Sequence, residues 1–186
     1  AFSDRAEVLI PPTRVVDLPR LEARIAMLLT GGSTEIYQGL ETGLSQLRYN
    51  LSPSFINHLI LLTDGRTYGD EEACLELAEK AANDGIGISG IGIGHEWNDA
   101  FLDKLTSISG GSSMYVSAPK DLLKHLQHKF HNLDQVYAEG VYFHYKTTDS
   151  IELRYAYRME PESDPVILKN PLRFGNLVKG KPLKVL

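Results

Sequence analysis

The run Leu59-Ile60-Leu61-Leu62 limits the folding of this chain more than any other stretch. Four apolar side chains in a row lead straight into Thr63, Asp64 and Gly65. A run this short, closed by Asp-Gly, predicts a strand buried on both faces, as in a parallel sheet covered by helices. A helix would need more length than Gly65 leaves it. In an open α/β sheet, ligands bind in the crevice beyond the carboxyl ends of the strands. Asp64 falls on that rim, where a carboxylate either holds a hard cation or caps the next helix.

The flanking segments alternate in period. Ala6 to Ile10 reads as a strand stopped by Pro11-Pro12. Leu18 to Leu29 carries Leu21, Ile25 and Leu28 at helical spacing. Gly31-Gly32 break that helix, and Ser33 or Thr34 can cap the next, which runs to about Tyr49 with Ile36, Leu40, Leu44 and Leu47 on one face. A helix from about Asp70 to Asn83 turns inward Ala73, Leu77, Ala78 and Ala81. Ile86 to Ile93 is a second apolar strand, followed by a helix over 98–109, a stop at Gly110-Gly111, a short strand from Met114 to Val116 and an amphipathic helix from Asp121 to Leu133. This alternation predicts a Rossmann-like α/β fold, a doubly wound and mostly parallel sheet with right-handed crossovers. Beyond Leu133 the period changes. Val136 to Lys146, Ile151 to Met159 and Val166 to Val178 alternate apolar with polar residues and read as antiparallel strands. The expected organisation is an α/β domain over 1–133 and a short antiparallel β-rich segment over 134–186, packed on that domain or part of a β-sandwich.

Charge and composition remove several classes of function. A net charge of -5 argues against nucleic acid as partner, because phosphates need a basic face. No apolar run approaches the ~20 residues of a membrane span. The single Cys74 excludes an internal disulfide and reads as a small buried hydrophobe. The opening Ala1-Phe2-Ser3-Asp4, without Met, reads as a piece of a longer chain. Gly85-Ile86-Gly87-Ile88-Ser89-Gly90 has the spacing of a dinucleotide fingerprint, but its helix precedes it instead of following. Leu62-Thr63-Asp64-Gly65 resembles the signature of the haloacid dehalogenase phosphotransferases, except that Leu62 stands at the nucleophile's position. His125, His128 and His131 drift around their helix and read as a solvated face. A phosphate-handling enzyme built on Asp64 would lack a paired base, a nucleophile and a phosphate loop.

Three stretches belong together: Gly31-Gly-Ser-Thr-Glu-Ile-Tyr-Gln-Gly-Leu40, Leu59-Ile-Leu-Leu-Thr-Asp-Gly65 and Ile88-Ser-Gly-Ile-Gly-Ile-Gly94. With Phe2-Ser3-Asp4-Arg5-Ala6-Glu7-Val8 ahead of them and Gly110-Gly111 behind, they resemble the von Willebrand factor A (VWA) domain over about Ala1 to Phe130. The resemblance implies a protein-interaction or adhesion module, not an enzyme, with a metal-ion-dependent adhesion site on the upper rim. There Thr34 would coordinate a divalent cation directly and Asp64 through water. The cation would be Mg2+ or Mn2+, with Ca2+ a further candidate, and a carboxylate from the partner protein would complete it. Tyr37, Arg66, Tyr68, His95 and Trp97 would line the partner surface. The family's first loop, Asp-x-Ser-x-Ser after a central strand, occurs nowhere in this sequence, so the site is expected to be incomplete and metal binding weak or absent. The match starts at the family's second strand, and the vacant strand position is a place for self-association; a metal-free structural scaffold is the alternative. The β-rich tail resembles the region that follows the VWA domain in some bacterial VWA proteins.

Overall fold

The computed structural model of the chain describes residues 1–29, 31–67, 69–94 and 97–186. Three strands, β1 (His58–Thr63), β2 (Gly87–Ile93) and β3 (Ser113–Val116), form a parallel sheet in the order β1-β2-β3. The register runs from His58 opposite Gly87 to Thr63 opposite Gly92, and from Gly90 opposite Ser113 to Ile93 opposite Val116. Parallel neighbours need crossovers, and helices α3 (Glu71–Asn83) and α4 (Asp99–Ile108) supply them. Together with α2 (Ile36–Tyr49) they close one core, in which Leu40, Leu44, Cys74, Ala78, Ile88 and Leu105 are fully buried. Glycines in β2 let α4 come close: a Cβ on Gly90 would lie 2.5 Å from Leu102 Cδ1. The Gly85-x-Gly87-x-x-Gly90 spacing is therefore a turn followed by a strand packed beneath a helix.

Four sequence expectations need correction. The strand β1 is not buried on both faces: Leu61 is 4% exposed but Leu62 is 38% exposed. Leu59 and Leu61 turn into the helix-covered core, whereas Leu62 points to the other face; among the described residues β1 is also an edge strand. Ala6 to Ile10 forms no strand. Ala1 and Glu7 instead exchange main-chain hydrogen bonds, folding the segment on itself, and only Phe2 and Ala6 bridge. Helix α1 (Leu18–Ala26) begins at an Asp17 cap and stops short of Leu29, and it buries no residue; Ile25 stays 53% exposed. The N-terminus of α2 is capped neither by Ser33 nor by Thr34; its cap position is Glu35, which makes no side-chain cap bond.

After α5 (Pro119–Asp134) the chain is antiparallel, with shorter strands than the alternation predicts. β4 (Val136–Phe143) pairs with β7 (Leu172–Val178), while β5 (Tyr157–Glu160) lies between β6 (Asp164–Pro165) and β8 (Lys184–Val185). Ile151 to Ala156 and Val166 to Pro171 stay outside any strand. Pro165 and Pro171 bound the second of these stretches, and proline has no N–H to give a ladder.

This β-rich part is joined to the α/β part through a polar seam. The buried Arg158 guanidinium donates to the carbonyls of Glu162 (3.0 Å), Gly110 (2.9 Å), Phe174 (2.8 Å) and Gly111 (2.5 Å). Glu162 pairs with the buried Lys129 at 2.6 Å and also accepts from Asn132 and Ser112. Asp164 accepts from Ser107 Oγ and from the Ser113 N–H. Gly110 and Gly175, at φ +73° and +77°, lie back to back; a Cβ on either would strike the other's backbone. Burial would raise the Glu162 carboxyl, but Lys129, with hydrogen bonds from Lys129, Ser112 and Asn132, outweighs it and holds the group at about 2. Asp164 is pushed up to about 6 by its burial, against the pull of the Ser113 N–H and Arg158.

Candidate metal centre

The carboxyl ends of the parallel strands carry the rim on which the sequence places its site. Thr63 closes β1 with a local turn, accepting from the Gly65 N–H at 3.3 Å and donating to the Gly65 carbonyl at 3.1 Å. That turn leaves Asp64 exposed and brings Gly65 up to the loop before α2. Thr34 Oγ1 occupies the space where a Cβ on Gly65 would stand. The hydroxyl and the carboxylate singled out from sequence are therefore on neighbouring crossovers at one end of the sheet, separated by a glycine that lets the two loops touch.

Residues the sequence reading missed hold these loops together. Thr67 Oγ1 accepts from the Ile36 N–H at 3.2 Å, and Asp70 Oδ2 from the Tyr37 N–H at 3.0 Å. Thr67 in turn donates to Asp70. The first turn of α2 is thus capped from another loop, which satisfies two of its unpaired donors. The Thr-x-x-Asp spacing ahead of α3 was a visible signal, but it suggests a cap for α3; only the tertiary fold turns it toward α2. Ser3 adds a third strut: its carbonyl accepts from the Glu35 N–H at 2.8 Å, and its hydroxyl donates to Asp4 at 2.9 Å. Gly32, at φ +87°, leaves room for Asp4, whose Oδ1 would lie 2.8 Å from a Cβ at that position.

The other expected surface residues are scattered around this rim. Tyr37 opens α2 and gives its hydroxyl to Glu41 at 3.2 Å, and the Glu41 charge raises the phenol above its ordinary range. Arg66 is exposed on the loop after β1. Trp97 is half-buried: its ring covers Gly92, its indole N–H donates to the Gly94 carbonyl at 3.1 Å, and it lies 5.6 Å from the exposed Tyr115 ring. Tyr68 and His95 lie outside the described residues.

The donor set does not amount to a divalent-cation site on its own. Among the described residues no group of three or more His, Cys, Asp or Glu side chains is placed to hold a metal ion. Mg2+ demands six oxygens in near-octahedral array and gives up water reluctantly. One hydroxyl and one carboxylate leave most of that shell to water and to another molecule.

The chain is thus an α/β sheet with two loops converging above its strand ends. The von Willebrand factor type A domain profile matches residues 1–129, and the chain belongs to that family. Domains of this family typically mediate protein–protein interactions. No curated protein matches the chain. Among solved structures, a von Willebrand factor type A protein from Catenulispora acidiphila is similar at 17% identity and TM-score 0.73, over 98% of this chain and 46% of that one. Proximal thread matrix protein 1 from the mussel byssus is similar at 23% identity and TM-score 0.54, over 68% of this chain and 32% of that one; one of its structures has a zinc-occupied MIDAS motif. BatB from Bacteroides thetaiotaomicron shares 15% identity at TM-score 0.59, over 72% and 76% of the two chains. These likenesses show the fold. The chain spans about half the length of the Catenulispora protein and a third of the mussel protein.

Proposed function

We propose that this chain is a non-enzymatic interaction module that meets another protein across the rim above β1 and β2. Thr34 and Asp64 are its contribution to a divalent-cation bridge, and the partner's carboxylate is the remaining protein ligand. The cation is Mg2+ or Mn2+, with Ca2+ a further candidate. Tyr37, Arg66, Tyr68, His95 and Trp97 form the surrounding contact surface, Trp97 acting as a fixed apolar platform. The observation that carries this reading is the seating of Thr34 Oγ1 against Gly65, beside the exposed Asp64. With no Asp-x-Ser-x-Ser in the sequence and only two ligand side chains, the chain alone holds the ion weakly. Calorimetric titration with Mg2+ and Mn2+ tests this: millimolar or undetectable binding is expected, and micromolar binding would mean that the ligand set is wrong.

A metal-free scaffold is the second reading, favoured by the absence of any three-residue ligand cluster among the described residues. The free edge of β1 adds a route to self-association. Gly87 N–H bonds the Asn57 carbonyl, so by alternation His58, Ile60 and Leu62 direct their main-chain groups to the open side. Light scattering over a concentration series distinguishes a dimer from a monomer.

A further inference from the structure

Where β6 meets α4 and β3, the proton count around the buried Asp164 does not close if its carboxyl is ionised. Oδ2 lies 3.1 Å from Ser107 Oγ, and Oδ1 lies 3.3 Å from both Ser113 Oγ and the Ser113 main-chain nitrogen. A serine hydroxyl has one proton to give. Ser107 Oγ is nearer to the Pro165 carbonyl, at 2.7 Å, and Ser113 Oγ is nearer to Asp103. With both hydroxyl protons directed to those nearer acceptors, one main-chain N–H at 3.3 Å is left for the two Asp164 oxygens. A carboxylate buried with so little bonding is costly.

The same positions suit a carboxylic acid. An Oδ2–H donates to Ser107 Oγ, Ser107 passes its own proton to the Pro165 carbonyl, and Ser113 keeps its bond to Asp103. Every group is then served, and Ser107 of α4 holds β6 at two adjacent points. The charged groups facing Asp164 are Arg158 of β5 and Asp103 of α4. Arg158 attracts the carboxylate, but its hydrogen bonds go to four carbonyls and not to the Asp164 side chain. Lys129 of α5 is closed on Glu162 at 2.6 Å. Glu162 is held at about 2 and Asp164 is pushed by burial up to about 6, so the acid of this turn that titrates near neutrality is Asp164.

We propose that Asp164 is a proton-operated fastener between the α/β part and the tail: as a neutral acid it ties β6 to α4 through Ser107, and on ionisation it lets the turn from Glu160 to Pro165 part from α4 and β3. The ionised carboxylate has to draw the Ser107 proton from Pro165 or the Ser113 proton from Asp103, and either exchange breaks a bond that the neutral acid leaves intact. Release lies on the alkaline side, because the buried acid holds its proton more tightly than an exposed one. The device is independent of the rim and of the cation proposed there.

Carboxyl-carbon NMR of the labelled wild-type chain across the acid-to-neutral range tests the proton, and hydrogen exchange at about pH 5 and about pH 7.5 tests the release. The Asp164 Cγ signal should titrate with a midpoint near 6, the Ser113 amide following it. The amides of Ser113 and of Val166, which bonds the Ala156 carbonyl, should exchange ahead of the β1–β2 ladder. After correction for intrinsic rates, their opening should be about tenfold greater at the higher pH, as a shift from 3.8 to about 6 requires. Asp164→Asn, whose Nδ2–H donates to Ser107 as the neutral acid does, should open equally at the two pH values. A Cγ midpoint at an ordinary carboxyl value, equal wild-type opening at the two pH values, or exchange of these amides only together with the β1–β2 ladder overturns the proposal. The wild-type measurements need no variant, so a failure of Asp164→Asn to fold leaves them decisive.

Discussion

Two buried groups at the seam pull stability in opposite directions with pH. The Asp164 carboxyl, pushed up to about 6, contributes stability that is complete below the ordinary carboxyl range near 3.8 and lost as pH rises through 6. His58, pushed down to about 3, behaves oppositely: its contribution is complete above the ordinary imidazole value of 6.5 and lost on acidification toward 3. Glu162, held at about 2, keeps its contribution above 4.5 and adds no slope in the window between. From pH 7 to pH 4.5, Asp164 therefore offsets part of the loss caused by His58. Asp164→Asn should remove that offset, on the order of 2 kcal/mol, and steepen the fall of the urea midpoint on acidification. Equal slopes in the two proteins would show that Asp164 does not titrate there. At the rim, Thr67→Val keeps the shape of the side chain but removes the acceptor for the Ile36 N–H. It should cost about 1 kcal/mol, read as a lower urea midpoint at unchanged m-value.

At the scale of elements, Arg158 is the residue on which the seam depends. Replacing it with Met fills the volume but strands four carbonyls and removes the positive charge that pulls on Asp164. A loss of about 3–5 kcal/mol is expected in urea unfolding; a loss below 1 kcal/mol would show that water takes over the guanidinium's bonds. Nothing in the sequence marks Arg158, because three of its four partners are main-chain carbonyls 16 to 48 residues away. The alternation of the α/β part was legible for the reason that its helices and strands bury one continuous face each: α2, α3, α4, β2 and α5 lie within a few residues of their expected bounds. What failed was everything decided by a neighbour. Ala6 to Ile10 has the composition of a strand but no ladder to join, and Leu62 looks like core but points to the face of β1 opposite that core. The tail was legible in its antiparallel sense but not in its strand limits, where irregular register and Pro165 and Pro171 cut the ladders short. Of the candidate site, Thr34 and Asp64 were singled out through the family resemblance, and their two loops do touch at Gly65; the Thr67–Asp70 cap and the Ser3 strut that position those loops were not legible, because their partners are set by the tertiary fold.

For the molecule as a whole, the seam argues against independent folding of two pieces divided at Leu133. Lys129 and Asn132 of α5 are buried against Glu162, and Gly110 against Gly175, so neither part keeps its packing without the other. Urea unfolding followed by the fluorescence of Trp97, the single tryptophan, should share its midpoint with hydrogen exchange of the β4–β7 ladder. Two separate midpoints would make 1–133 an autonomous domain. The fold's likeness to the Catenulispora protein over 98% of this chain fits the single unit. The central claim, however, concerns the opposite end of the sheet, and paramagnetic Mn2+ reads it even when binding is weak. Added to isotope-labelled protein, Mn2+ should broaden the amide signals of Ser33 to Ile36 and Thr63 to Arg66 first, at millimolar concentrations, and Asp64→Ala should abolish the effect. Broadening centred elsewhere, or micromolar binding that survives Asp64→Ala, would contradict the account.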